Sequence, residues 1–195
     1  CIASLGHTNG TYDQTLTGFQ AGIDHVTHLF NAMPSIHHRQ PSPVGAIFET
    51  PAVTAQVIPD GVHVHPAVLR MAFQALGPER FIAITDAMQA LGLPDGMHEY
   101  NGIPYETSDG AARYKDGTLI GTAMGLNGLI RRLMRFTDCS LATAIKTVTE
   151  NPARLLGLEH KKGSIGTGLD ADLVLLNDDL SVHRTLVGGE IVFSQ

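Results

Sequence analysis

The stretch FIAITDAM, Phe81–Met88, decides the reading of the first half of this chain. Phe81–Thr85 is an apolar, β-branched run that ends at the carboxylate of Asp86. A short run of this kind closed by a polar turn is the pattern of a buried strand. Working towards the N-terminus, Pro66 suits the first turn of a helix, and Val68, Leu69, Ala72, Phe73 and Leu76 give that helix an apolar face. Val53–Ile58 reads as a strand that breaks at Pro59-Asp60-Gly61. Ile23–Leu29 reads as another, and Tyr12–Ala21 as a helix with Leu16 and Phe19 inward. Cys1–Leu5 reads as the end of a buried strand that stops at Gly6-His7. The order is strand, helix, strand, loop, strand, helix, strand, which implies parallel strands covered by helices.

Ligand-type side chains follow every strand of this series. His7 follows the first, His28 closes the second, His63 follows the third and Asp86 the fourth. In parallel α/β folds, and in (β/α)8 barrels above all, active sites form at the carboxyl ends of the strands. The segment HVTHLFNAMPSIHHRQPSPVGA, His25–Ala46, concentrates this chemistry further, with four histidines, an asparagine and an arginine. Neutral imidazoles on separate strands suit a divalent metal, and a carboxylate on a neighbouring strand end suits a general base. A metal-free reading, in which His7, His28 and His63 hold phosphate or act as acid and base, stands beside it. Other histidines read as structural. His25 faces away from His28 on a strand, His37 and His38 fit a solvated loop, and His65 fits a contact at a helix start. His98, His160 and His183 read as surface residues, and Asp86 reads as a buried carboxylate in need of a partner.

Bulk composition narrows the class. The 195 residues are 43% hydrophobic, enough for a packed core, and the net charge is −6 with ten histidines neutral. That balance argues against a general nucleic-acid or anionic-membrane binder, which needs a broad basic surface. No apolar run is long enough to span a bilayer. Cys1 and Cys139 have no motif spacing and read as reduced thiols of a cytoplasmic protein. The chain opens on Cys1 rather than methionine, so a natural N-terminus further upstream is expected.

After Asp86 the texture changes. Residues 92–121 are Gly-rich and alternate, as in HEYNGIPYET and GAARYKDGTLIGT, which predicts hairpins with a turn at Lys115-Asp116-Gly117. A helix is expected to start at Gly121-Thr122, with Met124, Leu126, Ile130, Leu133 and Met134 on its apolar face. Ser140 reads as the N-cap of a second helix through Val148. The tail reads as short strands joined by Gly and Asp turns. The expected organisation is strands and helices over residues 1–91, a β-hairpin segment over 92–121, helices over 122–160, and β-subdomain strands over 161–195.

Six motifs, GHTNGTYD (Gly6–Asp13), THLFNAMP (Thr27–Pro34), HHRQPSPVGA (His37–Ala46), DGVHVHP (Asp60–Pro66), TDAMQALG (Thr85–Gly92) and GTLIGTA (Gly117–Ala123), occur in this order. In this they resemble the N-acetylglucosamine-6-phosphate deacetylases of the amidohydrolase superfamily. NPARLLGL (Asn151–Leu158), KGSIGTGLDADLVLLN (Lys162–Asn177) and TLVGGEIVF (Thr185–Phe193) resemble the superfamily's usual C-terminal segment. The resemblance implies an α/β fold. More narrowly, it implies the C-terminal half of a (β/α)8 metal-dependent hydrolase barrel, beginning near the fifth strand, plus part of a small β-subdomain. It implies that His7 and His28 are metal ligands and that Asp86 is the catalytic acid/base. Asn31 and Ala32 match a sugar contact, and Leu119, Ile120 and Gly121 another substrate contact. His63 matches a contact at the phosphate or a nearby hydroxyl, and Arg39 a residue that reaches the phosphate in the neighbouring subunit of a homodimer.

The implied cofactor is a divalent metal, Zn first, with Fe, Co or Mn as alternatives. The implied substrate is a phosphorylated amino sugar. The family's third metal ligand, a glutamate, and a histidine that polarises the carbonyl belong to the half without a counterpart here. The chain is therefore expected to be a fragment, inactive alone. Two rival readings remain: another amidohydrolase, such as a cyclic amidase or a deaminase, and a non-catalytic half-barrel.

Overall fold

The computed structural model describes residues 1–195. Four short strands, β1 (Ser4–Leu5), β2 (His25–Val26), β3 (Thr54–Val57) and β4 (Phe81–Ala83), pair in parallel in the order β1-β2-β3-β4. Helix α1 (Tyr12–Gln20) joins the first two strands, α2 (Ser42–Glu49) the second and third, and α3 (Pro66–Arg80) the third and fourth. The parallel sheet with its crossover helices is a partial (β/α) barrel.

The sheet has two unlike faces. Val26, Ala55, Val57, Phe81 and Ala83 pack with Val44 and Ile47 of α2 and Leu69 and Leu76 of α3 in one core. Each fully buried large aliphatic side chain contributes about 1.5–3 kcal/mol. The alternate residues form polar cross-strand pairs. His25 Nδ1 lies 2.8 Å from Thr54 Oγ1, and Thr27 Oγ1 donates to Gln56 Oε1 at 2.9 Å.

Two residues pin the ends of these elements. The Arg80 guanidinium donates to six backbone carbonyls, those of Ile47, Phe48, Thr50, Val53, Ala75 and Leu76, and so ties the end of α2, the start of β3 and the end of α3. Asn151, 2% exposed, donates through Nδ2 to the carbonyls of Pro78 and Phe81 at the start of β4.

The second half builds two antiparallel sheets around three helices. Strands β5 (Gly96–Tyr100), β6 (Ile103–Ser108), β7 (Ala111–Tyr114) and β8 (Leu119–Thr122) form a meander over Tyr105 and Ala112. Helix α4 (Leu126–Thr137) buries Leu129, Ile130 and Leu133, the last two against the main core. Helices α5 (Leu141–Lys146) and α6 (Glu150–Leu155) follow, and Ser140 caps α5 by accepting from Thr143 N. Strands β9 (Leu173–Leu176), β10 (Val182–Val187) and β11 (Glu190–Ser194) make a three-stranded sheet. No helix is long and apolar enough to cross a membrane.

Three expectations need correction. The segment before β3 is not a loop but holds α2, whose Pro41, Pro43 and Gly45 hide a helix that begins where proline is tolerated. The helix expected from Gly121-Thr122 starts only at Leu126, because Leu119–Thr122 is a strand. His98 and His183 are half-buried rather than surface residues, and His98 Nε2 lies 3.1 Å from Thr107 Oγ1.

Candidate active site

Three of the four residues singled out at strand ends share one backbone feature. His7 has φ 43°, His28 φ 27° and Asp86 φ 47°, all in the left-handed region. Such conformations are uncommon for side chains other than glycine and cost of order 1–3 kcal/mol each. Each lies two or three residues past its strand, where the chain turns off the carboxyl end of the sheet.

The first two strand ends converge. The His7 and His28 rings stack with centroids 4.6 Å apart and planes at 30°. Gly6 makes this close approach possible, because a Cβ there would sit 2.5 Å from Thr27 Cγ2 and 3.6 Å from the His28 ring. His28 Nδ1 is buried without any hydrogen-bond partner. Two adjacent imidazoles with an orphan ring nitrogen have the donor chemistry of a divalent transition metal, so these residues fit the implied cation. They supply two ligands. No group of three or more His, Cys, Asp and Glu suited to a metal occurs in the chain, so a complete shell needs a donor from elsewhere.

Asp86 is exposed, not buried as its sequence context suggested. Its backbone, rather than its carboxylate, is engaged. Thr122 N donates to the Asp86 carbonyl at 2.9 Å, and Thr122 Oγ1 donates to the Thr85 carbonyl at 2.7 Å. Strand β8 thus lies along the Asp86 turn. Gly121, with φ 143°, passes so close that a Cβ would meet the Asp86 carbonyl oxygen at 2.4 Å.

After β3, Asp60 and His63 form a buried pair that residue type alone did not reveal. Their side chains are 1% and 4% exposed, and His63 Nδ1 lies 2.6 Å from Asp60 Oδ2. Asp60 Oδ1 also accepts from Val62 N and His63 N, both at 2.9 Å. Burial pushes the Asp60 carboxyl up, but the hydrogen bonds from His63 and Val62 outweigh it and leave the group below its usual range. With Nδ1 engaged, Nε2 is the ring nitrogen free for a ligand. The spacing D-x-x-H across a turn was the available signal.

The remaining candidates divide. The Asn31 amide folds back on the His28 carbonyl at 3.0 Å, which braces the loop and leaves Oδ1 free of that bond, and Ala32 is exposed with φ 49°. Leu119 and Ile120 are half-buried and Gly121 is buried on β8 beside Asp86. Arg39 is exposed on the loop before α2, its Nη1 2.6 Å from His38 Nε2, and the structure gives it no contact with His7, His28 or Asp86. His25 is buried against Thr54, with its Nε2 left without a partner, and His65 accepts from Ala67 N at the start of α3. Two open polar hollows lie elsewhere, one around Asn177–Ser181 and one around Lys146, Glu150 and Arg154.

Two imidazoles and a carboxylate thus stand on left-handed turns just past the parallel strands. Residues 1–192 match the model of the amidohydrolase family, and the chain belongs to that family. Among its relatives, N-acetylglucosamine-6-phosphate deacetylase of Bacillus subtilis (strain 168) is 38% identical over 192 residues, which cover 98% of this chain and 48% of the relative. N-acetylgalactosamine-6-phosphate deacetylase of Escherichia coli O157:H7 is 35% identical over 187 residues, 96% of this chain and 49% of that protein. The solved structure of a mutant N-acetyl-D-glucosamine-6-phosphate deacetylase from Mycobacterium smegmatis, in complex with N-acetyl-D-glucosamine-6-phosphate, is similar with a TM-score of 0.92 and 38% identity. That match covers 99% of this chain and 51% of the other. The chain spans about half the length of the relatives it matches.

Proposed function

We propose that this chain carries half of a metal-dependent deacetylase site that hydrolyses the acetamide of N-acetylglucosamine 6-phosphate to glucosamine 6-phosphate and acetate. The observation that carries the reading is the convergence of His7 and His28, with Asp86 on the same kind of left-handed turn at the same end of the sheet. His7 and His28 would hold the divalent cation. When bound, that cation supplies Lewis-acid polarisation of the carbonyl and brings the pKa of water towards about 7. Asp86, exposed and free of a side-chain partner, takes a proton from the attacking water and delivers it to the departing amine. The C–O bond of acetate forms first, by addition of the water to the carbonyl, and the C–N bond then breaks as the amine takes the proton from Asp86.

The substrate-holding groups follow. His63 offers Nε2, and Arg39 a guanidinium, to the phosphate through charge-assisted hydrogen bonds. Leu119–Gly121 and the Asn31-Ala32 turn flank the sugar. The exposed position of Arg39 suits a residue that serves the neighbouring subunit of a homodimer. Zinc is the first candidate metal, and the cytoplasm the proposed compartment.

Acetate release from N-acetylglucosamine 6-phosphate, N-acetylgalactosamine 6-phosphate and N-acetylglucosamine, by a full-length protein carrying these residues, tests the reading. The expected result is activity on the first and little on the unphosphorylated sugar. Arg39→Ala should raise KM by about tenfold or more while kcat changes little, from the loss of a hydrogen bond between charged groups worth about 1.5–3 kcal/mol. Equal activity with and without the phosphate, or an unchanged KM, would overturn the assignment.

A further inference from the structure

Asp86 is held by something other than its own strand. Strand β4 ends at Ala83, and the chain then runs through Thr85, Asp86 and Ala87 without a regular partner on the parallel sheet. One residue of the hairpin sheet supplies the missing bonds. Thr122 is fully buried. Its Oγ1 donates to the Thr85 carbonyl at 2.7 Å, its N–H donates to the Asp86 carbonyl at 2.9 Å, and its carbonyl accepts from Met88 N at 2.7 Å. Thr122 also forms a parallel bridge with Ala87. Three polar groups of one residue therefore fasten the chain on both sides of Asp86.

The fastening comes from the strand that carries the proposed substrate contacts. A left-handed residue such as Asp86 keeps its conformation only when its surroundings over-determine it. Gly121, whose backbone runs against the Asp86 carbonyl, leaves no room for slack on that side.

We propose that Thr122 is the positioning residue for Asp86: its hydroxyl and backbone clamp the 85–88 turn and so hold the carboxylate in the geometry for proton transfer, coupling it to substrate seated on β8. This rests on the reading of Asp86 as acid/base. Loss of the Thr122 hydroxyl removes the anchor on Thr85, and with it a long bond from Met124 N at 3.4 Å, without altering Asp86 or any proposed substrate contact, so kcat should suffer and KM should not. Misplacement of a reacting group by about 1 Å can cost on the order of a hundredfold.

The test compares Thr122→Val, which keeps the shape and loses the donor, with Thr122→Ser, which keeps the donor. In a full-length protein carrying these residues, Thr122→Val should lower kcat at least about tenfold with KM within about twofold, and Thr122→Ser should stay within about threefold of the parent. Independently of activity, hydrogen exchange at the Met88 amide should quicken about tenfold in Thr122→Val and not in Thr122→Ser. Should Thr122→Val not fold, Thr122→Ala makes the same comparison. An unchanged kcat in an active protein, equal losses in the Val and Ser variants, or unchanged Met88 exchange would each overturn the inference. A parent without deacetylase activity would instead refute the proposed function, while the exchange data would still decide whether the clamp exists.

Discussion

Replacing Asp60 by asparagine probes the buried Asp60–His63 pair with little change of shape. The asparagine oxygen can still accept from Val62 N and His63 N, which both reach Oδ1 at 2.9 Å in the parent. The group facing His63 Nδ1, now at 2.6 Å from a carboxylate oxygen, becomes an NH2 donor. A hydrogen bond involving a charged group is worth about 1.5–3 kcal/mol and a neutral one about 0.5–1.5, so the expected loss is about 1–2 kcal/mol. Asp60→Ala should cost more, about 3–5 kcal/mol, because it strands donors in a site where both side chains are almost fully buried.

Urea unfolding of the 195-residue chain, followed by circular dichroism, reads these values directly. With a slope of about 1–3 kcal/mol per molar urea, the asparagine variant should unfold on the order of 0.5–1 M earlier. The pH dependence has a definite sign. The Asp60 carboxyl is depressed in the folded chain, so it stabilises above its unfolded value of 3.8, and that stability is lost as pH falls through the lower folded value. The gap between parent and Asp60→Asn should therefore hold from neutral pH down to the carboxylate range and close below it. A gap under about 0.5 kcal/mol at neutral pH, or one that does not close on acidification, would refute the reasoning.

Other perturbations follow from single contacts. Gly121→Ala should destabilise the chain by about 1–3 kcal/mol and lower the activity of a full-length protein, because the new Cβ would meet the rigid Asp86 carbonyl at 2.4 Å with φ at 143°; urea unfolding and kcat both report it. Arg80→Ala should lower stability by about 3 kcal/mol or more through loss of its six carbonyl bonds, and Arg80→Lys should recover less than half, since an ammonium has three donors and no planar fork. The same unfolding assay separates the two. Gly6→Ala should cost less than Gly121→Ala, because the atom that it meets is the Thr27 methyl, and Thr27→Ser in the same chain should recover most of the loss.

The strand ends were legible because Val53–Ile58 and Phe81–Thr85 are β-branched or apolar runs that stop at turn residues, and parallel topology then places whatever follows at one rim. That logic named His7, His28, His63 and Asp86 without knowledge of any contact. Helix α2 was not legible, since Pro41, Pro43 and Gly45 suppress the helical signal that the burial of Val44, Ala46 and Ile47 restores. Asp60 read as a turn residue because its role depends on burial, which a three-residue turn motif does not encode. Arg80 and Thr122 act on backbone carbonyls, and a carbonyl has no sequence signature. Asp86 read as buried because of the apolar run before it, yet it lies three residues past the end of β4 and is exposed.

The proposed function requires Asp86 to act as acid/base beside a cation held by His7 and His28. The most direct measurement is acetate release from N-acetylglucosamine 6-phosphate by a full-length protein carrying these residues and by its Asp86→Asn variant, with metal content determined on both. The account predicts that the variant keeps its metal and loses activity by on the order of 10²–10⁴-fold. A variant that keeps its metal and remains within about threefold of the parent would contradict it.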